Sequence, residues 1–325
     1  MSDLYISEDV KKEYILFSFG VCFIPALALA RALKPNELHN ILLYSYYILL
    51  FGVCISLYFA IKDYMLGIQI ESSRLALTRL SPIQLGKYSV FLCIISYGLL
   101  LHKNKTKKIS FLFLLCSITL GVVTIVLSGS RTAFVGLVLI CLLNLFLRIS
   151  ITKILMILIL LPVFAYISLT AVSYVIPELD IVDKYLSMGD VNDQSANIRY
   201  ELYHGALQQF STSPLFGDFF LEREYMYAPH NLTLEVMMSL GVLGLIAFIS
   251  IVLFSLVKLL VLIKVSGKNE SSLYMTCFNL LAYLLIASNF SLGITTASEI
   301  WALCILSLFL LTSKSTVKFS ENKTY

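Results

Sequence analysis

Residues 109–147 read ISFLFLLCSITLGVVTIVLSGSRTAFVGLVLICLLNLFL, two apolar runs joined by Ser128-Gly129-Ser130-Arg131. Crossing the hydrocarbon of a bilayer takes about 20 consecutive apolar residues in a helix. Lipid offers no partner to an unpaired backbone amide, so such a segment satisfies its own N–H and C=O groups by coiling. The two runs therefore predict a helical hairpin through a membrane, closed by a turn with almost no loop.

Working outward, the pattern recurs. Of the 325 residues, 58% are hydrophobic and only 14% charged, with a mean hydropathy of +0.86. That leaves too little polar surface to cover a soluble globule. The fold class is all-α, a polytopic transmembrane helical bundle of about nine or ten spans. The candidate spans are 14–30, 38–61, 84–101, 109–127, 132–147, 154–175, 231–263, 273–290 and 297–312. The 231–263 run is longer than the bilayer needs at helical rise, so its start, with Glu235 inside, is expected to form an interfacial helix ahead of the true span. Residues 1–325 read as a single integral membrane domain, with 176–230 as one large water-facing loop inserted between spans.

Orientation follows from the lysines and arginines. Lys103, Lys105, Lys107 and Lys108 mark a cytoplasmic loop, which places the Ser128–Arg131 turn and the 176–230 loop on the opposite face. The net charge of +4 sits in short inter-span loops and not on a basic face, which excludes a nucleic-acid partner. The seven cysteines lie within apolar runs and form no CxxC pair, so they read as small buried hydrophobes and not as metal or redox groups. Lys11-Lys12, followed by an apolar run and Ala28-Leu29-Ala30, has the outline of a signal peptide, but Asp3, Glu8, Asp9 and Glu13 oppose that reading.

The chemistry-bearing residues gather on the outer side. Arg74, Arg79, Arg131, Arg199 and Arg223 are arginines at span edges and in the long loops, and the planar guanidinium suits phosphate oxygens. For Arg131 two readings stand: an anion clamp, with Ser128 and Ser130 as helix-end donors, or an interfacial cation that reaches out to water. Arg199 falls on an expected amphipathic helix over 195–210, with Ile198, Leu202, Leu207 and Phe210 on one face and Asp193 or Ser195 as cap. Tyr203, four residues on, shares its face, and an ion pair of Arg199 with Glu201 is the alternative to ligand binding. His230 lies between Pro229 and Asn231, a candidate helix cap. A helix N-terminus disfavours imidazolium, so His230 is expected to stay neutral and able to accept a proton; a histidine satisfied by backbone groups is the alternative. The acidic residues of the loop, among them Asp190, Asp218, Glu222 and Glu224, read as a solvated face, and Tyr225, Tyr227 and Phe219-Phe220 as interfacial anchors.

Three segments resemble the O-antigen polymerase and ligase superfamily of bacterial envelope enzymes. Ser128-Gly129-Ser130-Arg131-Thr132-Ala133 is similar to its S-x-S-R turn between two spans. Ile198-Arg199-Tyr200 leading to Ser213-Pro214-Leu215-Phe216-Gly217 is similar to its Arg-bearing outer helix and P-L-F-G turn. Pro229-His230-Asn231 running into Leu240-Gly241-Val242-Leu243-Gly244 is similar to its H-N helix start and G-x-x-G. Segment 74–88 resembles an earlier Arg-bearing turn, with Ser81-Pro82-Ile83 in place of the usual residues. The resemblance implies metal-independent glycosyl transfer with no cofactor, from an undecaprenyl-diphosphate-linked oligosaccharide, on the periplasmic face of the inner membrane. By the same resemblance Arg131 and Arg199 bind the diphosphate and His230 deprotonates the acceptor hydroxyl. Arg74, Arg79, Tyr203, Arg223 and Asn231 are further substrate-binding candidates, and a chain-length regulator protein is an expected partner. A Wzy-type polymerase leads this reading, and an O-antigen ligase is its alternative. A transporter or flippase for a lipid-linked sugar is the reading from another class. It would place ionisable residues deep in the spans, whereas here they gather near one surface.

Overall fold

The computed structural model describes residues 24, 27, 28, 31, 37–65, 81–102, 110–148, 194–290 and 298–321. Among them are eight α-helices: α1 (Leu38–Met65), α2 (Pro82–Leu101), α3 (Phe111–Ser128), α4 (Arg131–Arg148), α5 (Gln194–Thr212), α6 (Leu232–Val265), α7 (Lys268–Ser288) and α8 (Ser298–Glu321). Among the described residues five helices, α1, α2, α3, α6 and α7, are long and apolar enough to cross a membrane, and Arg131–Leu147 and Ser298–Leu310 are shorter apolar helices. The all-helical, multi-pass class is thus established. The expected spans 14–30 (apart from a few residues) and 154–175 lie outside the described residues, as does the loop from 176 to 193. The chain divides into two compact units, Ile41–Gln194 and Met1–Asn40 with Ser195–Tyr325.

In the first unit α2 and α3 run antiparallel in close contact. Gly121 of α3 makes the approach: a methyl group there would stand 2.5 Å from Cys93 Sγ and 3.0 Å from the Ser89 carbonyl oxygen. Small residues allow this in lipid, where packing and polar contacts, and not water exclusion, bring helices together. Tyr46 of α1 and Ser117 of α3 share a buried hydroxyl hydrogen bond of 2.7 Å. Ser81 caps α2, its hydroxyl accepting from Gln84 N, with Pro82 at the first helical position.

The start of α2 also abuts the hairpin turn that follows α3. A methyl group on Gly86 would lie 2.8 Å from both Ser130 Cβ and Ala133 Cβ and 3.2 Å from Ser128 Oγ. Gly86→Val should therefore force the Ser128–Arg131 turn away from α2. The expected cost is about 1–3 kcal/mol of overpacking, read as a lowered Tm of the purified protein; an unchanged Tm would show that the turn yields freely.

In the second unit α6, α7 and α8 pack together. The 34-residue α6 is two helices merged across a break at Gly241, where φ is 65° and ψ −164°. The piece after Gly241 still exceeds the roughly 20 residues a span requires, and the piece before it is the short lead-in helix expected from the length of the run. Large apolar side chains on the long piece, among them Leu243, Ile246, Leu253 and Phe254, stand exposed, as a lipid-facing surface demands.

Breaking a helix frees backbone groups that lipid cannot satisfy, and the Ser213–Gly217 turn takes them. Val242 N donates to Pro214 O at 2.8 Å, Leu243 N to Leu215 O at 3.4 Å, and Asp218 N to Met238 O at 2.9 Å. Ser213 closes the turn by donating its hydroxyl to Gly217 O at 2.6 Å. Gly217 and Gly241 meet face to face: a side chain on Gly241 would run into the Leu215 carbonyl, and one on Gly217 into the backbone of Ser239 and Leu240. Two segments separate in sequence are one backbone joint.

Candidate functional site

In the first unit the Ser128–Arg131 turn is held from within. Gly129 ends α3 in the left-handed region (φ 58°), where a glycine costs nothing. Ser128 Oγ donates to Ile125 O at 2.8 Å and accepts from Ser130 N at 3.3 Å. Ser130 Oγ accepts from Ala133 N at 3.4 Å, capping α4. Both serines are buried. They terminate and start helices, which corrects their expected role as donors aimed at an anion. Arg131 is the first residue of α4 and half-buried. Arg74 and Arg79 lie outside the described residues.

Sequence reasoning passed over Lys87, one residue after the glycine against which this turn packs. It is only 5% exposed, and its ammonium sits 4.9 Å from the centre of the Tyr88 ring. An ionisable residue buried in a span is a functional signal in its own right, and it was legible as a lysine within the 84–101 run.

In the second unit three segments meet. Helix α5 begins at Gln194, which puts Ser195 inside it and not at the cap; Asp193 is outside the described residues. Its buried stripe is Leu202, Ala206 and Gln209, while Ile198 and Leu207 are 50% and 48% exposed. Leu202 of the expected apolar face is buried, and the loop after α5 folds back to cover Ala206 and Gln209 as well. Gly205 admits the Glu222 carboxylate, whose Oε1 would lie 2.5 Å from any added methyl group. Buried Glu222 accepts from Glu224 N and from Tyr225 N, and its own N–H donates to Tyr227 O. This acid builds a hairpin and is not part of a solvated face, since a carboxylate surrounded by amides is stable when buried.

Arg199 points toward the end of α7, where its Nη1 donates to Phe290 O at 3.0 Å. Glu201, the ion-pair partner considered for it, accepts instead from Tyr225 OH at 2.9 Å, which holds that phenol above its ordinary pKa. Tyr203 is half-buried one turn along from Arg199. Arg223 is engaged elsewhere, 2.6 Å from Asp218, on the rim of a surface cavity of about 600 Å³.

Asn231 caps α6, its Oδ1 accepting from Leu234 N at 3.1 Å. It also reaches sideways, donating from Nδ2 to Asn289 O at 3.0 Å. His230, immediately before it, has φ 53°, a left-handed conformation sparsely occupied by side-chain-bearing residues and most common among Asn, Asp and His. The imidazole is half-buried, edge-on to Tyr227 with ring centres 5.2 Å apart. Burial, and then the positive charge of Arg199, push its pKa below the ordinary histidine value. The neutral form expected from a helix start is favoured here mainly through desolvation.

Arg199, His230 and Asn231 thus share one cluster with Asn289 and Phe290, the two residues the sequence reading missed. Their only signal was a polar Asn at the end of an apolar run. The cluster offers a neutral imidazole to take a proton and a guanidinium to hold an anion. Residues 116–218 match the family model described as O-antigen ligase. That region is similar to the O-antigen polymerase and ligase superfamily. The match takes in the Ser128–Arg131 turn, the Arg199 helix and the turn that docks on Gly241, all of them superfamily-like in the sequence. Enzymes of this superfamily are of glycosyltransferase type, and the chain carries the apolar helices of a multi-pass membrane protein. A comparison with curated proteins finds none that matches the chain.

Proposed function

We propose that the chain polymerises undecaprenyl-diphosphate-linked oligosaccharide repeat units into O-antigen or capsular polysaccharide, at the periplasmic face of the bacterial inner membrane. The observation that carries this reading is His230, half-buried, biased to the neutral form and beside Arg199. In the reaction, neutral His230 takes the proton of an acceptor sugar hydroxyl. The hydroxyl oxygen attacks the anomeric carbon of a second lipid-linked chain, the bond from that carbon to the phosphate oxygen breaks, and undecaprenyl diphosphate leaves with the electron pair. Positive charge that offsets the growing charge on the leaving group lowers the barrier. Diphosphate binding is the role the superfamily likeness implies for Arg199 and for Arg131.

A ligase, moving finished glycan to lipid A-core, is the second reading, favoured by the description of the matched family model. The two separate on deletion of the chain in its own cell. Loss of a polymerase leaves lipid A-core carrying single repeat units, which is the expected result. Polymer accumulating on the undecaprenyl carrier would transfer the assignment to the ligase. Repeat units trapped on the cytoplasmic side would replace both with a flippase.

A further inference from the structure

The end of α7 holds the cluster together through side-chain contacts that no motif in the sequence announced. Asn289 Oδ1 accepts from Thr233 Oγ1 at 2.6 Å, and its Nδ2 donates to Leu285 O at 2.8 Å, which pins the amide to its own helix. Its backbone oxygen accepts from Asn231 Nδ2, and the next carbonyl, that of Phe290, accepts from Arg199 Nη1. One residue and its neighbour therefore tie Arg199 of α5 and the start of α6, just after His230, to the end of a spanning helix. A left-handed histidine has no regular hydrogen-bonded frame of its own, so its direction depends on what anchors Asn231 and Thr233 on its C-terminal side.

We propose that the Asn289 side chain is a positioning group that aims His230, acting through Thr233 beside the Asn231 contact on its backbone oxygen. The inference rests on the reading of His230 as the base. It goes beyond that reading in assigning a role to a residue outside the matched region and outside the superfamily-like motifs. A base must sit within hydrogen-bond reach of the proton it takes, and a shift of about 1 Å can cost a hundredfold in rate.

The test uses the full chain, purified into lipid nanodiscs, with lipid-diphosphate repeat units extracted from cells that lack it. Asn289→Ala is expected to lower kcat by about ten- to a hundredfold, with KM for the lipid-linked unit changed less than about threefold. Thr233→Val should fall in the same direction. The double variant should be no worse than Asn289→Ala, because both single changes remove the same Thr233–Asn289 bond and residues acting as a unit are not additive. Unchanged kcat in Asn289→Ala overturns the inference. So do losses that multiply in the double variant, or a kcat loss that merely follows a lowered Tm. His230→Ala, run alongside, separates the two levels. If it retains activity, the base assignment itself fails; if it is inactive while Asn289→Ala is normal, the positioning role alone fails.

Discussion

Replacing His230 with Ala is expected to reduce glycan polymerisation by about 10²–10⁴-fold, the range over which a positioned general base acts. In a cell whose own copy is deleted, the glycan ladder should collapse to single repeats although the protein reaches the membrane in normal amount. Alanine at this position carries a confounding strain, since φ is 53°. His230→Asn removes the base while keeping a side chain that tolerates the left-handed region, so both variants should be inactive and only the first somewhat less stable. A normal ladder from either, with normal protein levels, removes His230 from the mechanism. The pH dependence has a definite sign. Burial and Arg199 lower the folded-state pKa, so the basic form persists to more acidic pH than for an exposed histidine. Activity should hold as pH falls through the ordinary histidine range and decline only below it. A limb centred at or above the ordinary value would contradict the buried setting.

Gly241→Ala should be the most damaging substitution for the fold. The backbone there occupies a mirror-image extended region open to glycine almost alone, where another residue costs about 1–3 kcal/mol. The new methyl group would also meet the Leu215 carbonyl and lie 2.6 Å from Gly217 N. Moving the Ser213–Gly217 turn aside is no escape, because Pro214 O and Leu215 O hold the Val242 and Leu243 amides freed by the break. Against a total stability of about 5–15 kcal/mol, the combined loss is severe. The variant should show a sharply reduced amount in membranes and a lower Tm after extraction. Gly52→Ala is the matched control: nothing lies within 4 Å of its added carbon, and it sits inside α1. There alanine should be neutral or stabilising by about 0.5–1 kcal/mol. Equal behaviour of the two variants would refute the backbone joint.

Much of the site was legible because some residues state their own geometry. Pro229-His230-Asn231 announces a helix start, and Asn231 does cap α6. Arg131 follows a Gly that ends one helix and a Ser that starts the next. Other residues misled because their partners come from afar. On α5 the expected Leu202 is buried, but Ala206 and Gln209 are buried with it under the returning loop, and Gln209 Nε2 donates to Phe219 O. Glu222 appeared solvated because an acid in a polar loop usually is; it is buried by a hairpin of its own making. Asn289 gave no signal of its own beyond its polarity, since nothing local shows that Thr233, 56 residues earlier, donates to it.

What the sequence by itself determined is the membrane class, the apolar helices among the described residues, the Asn231 cap and the short lead-in before the long span, because apolar run length and capping chemistry act within a few residues. The tertiary structure alone decided that the Ser213–Gly217 turn and Gly241 form one joint, that Glu222 is buried, and that Arg199 and Asn231 anchor on the end of α7. Each of these depends on backbone carbonyls and amides, which every residue carries alike and which only the fold brings within hydrogen-bond reach.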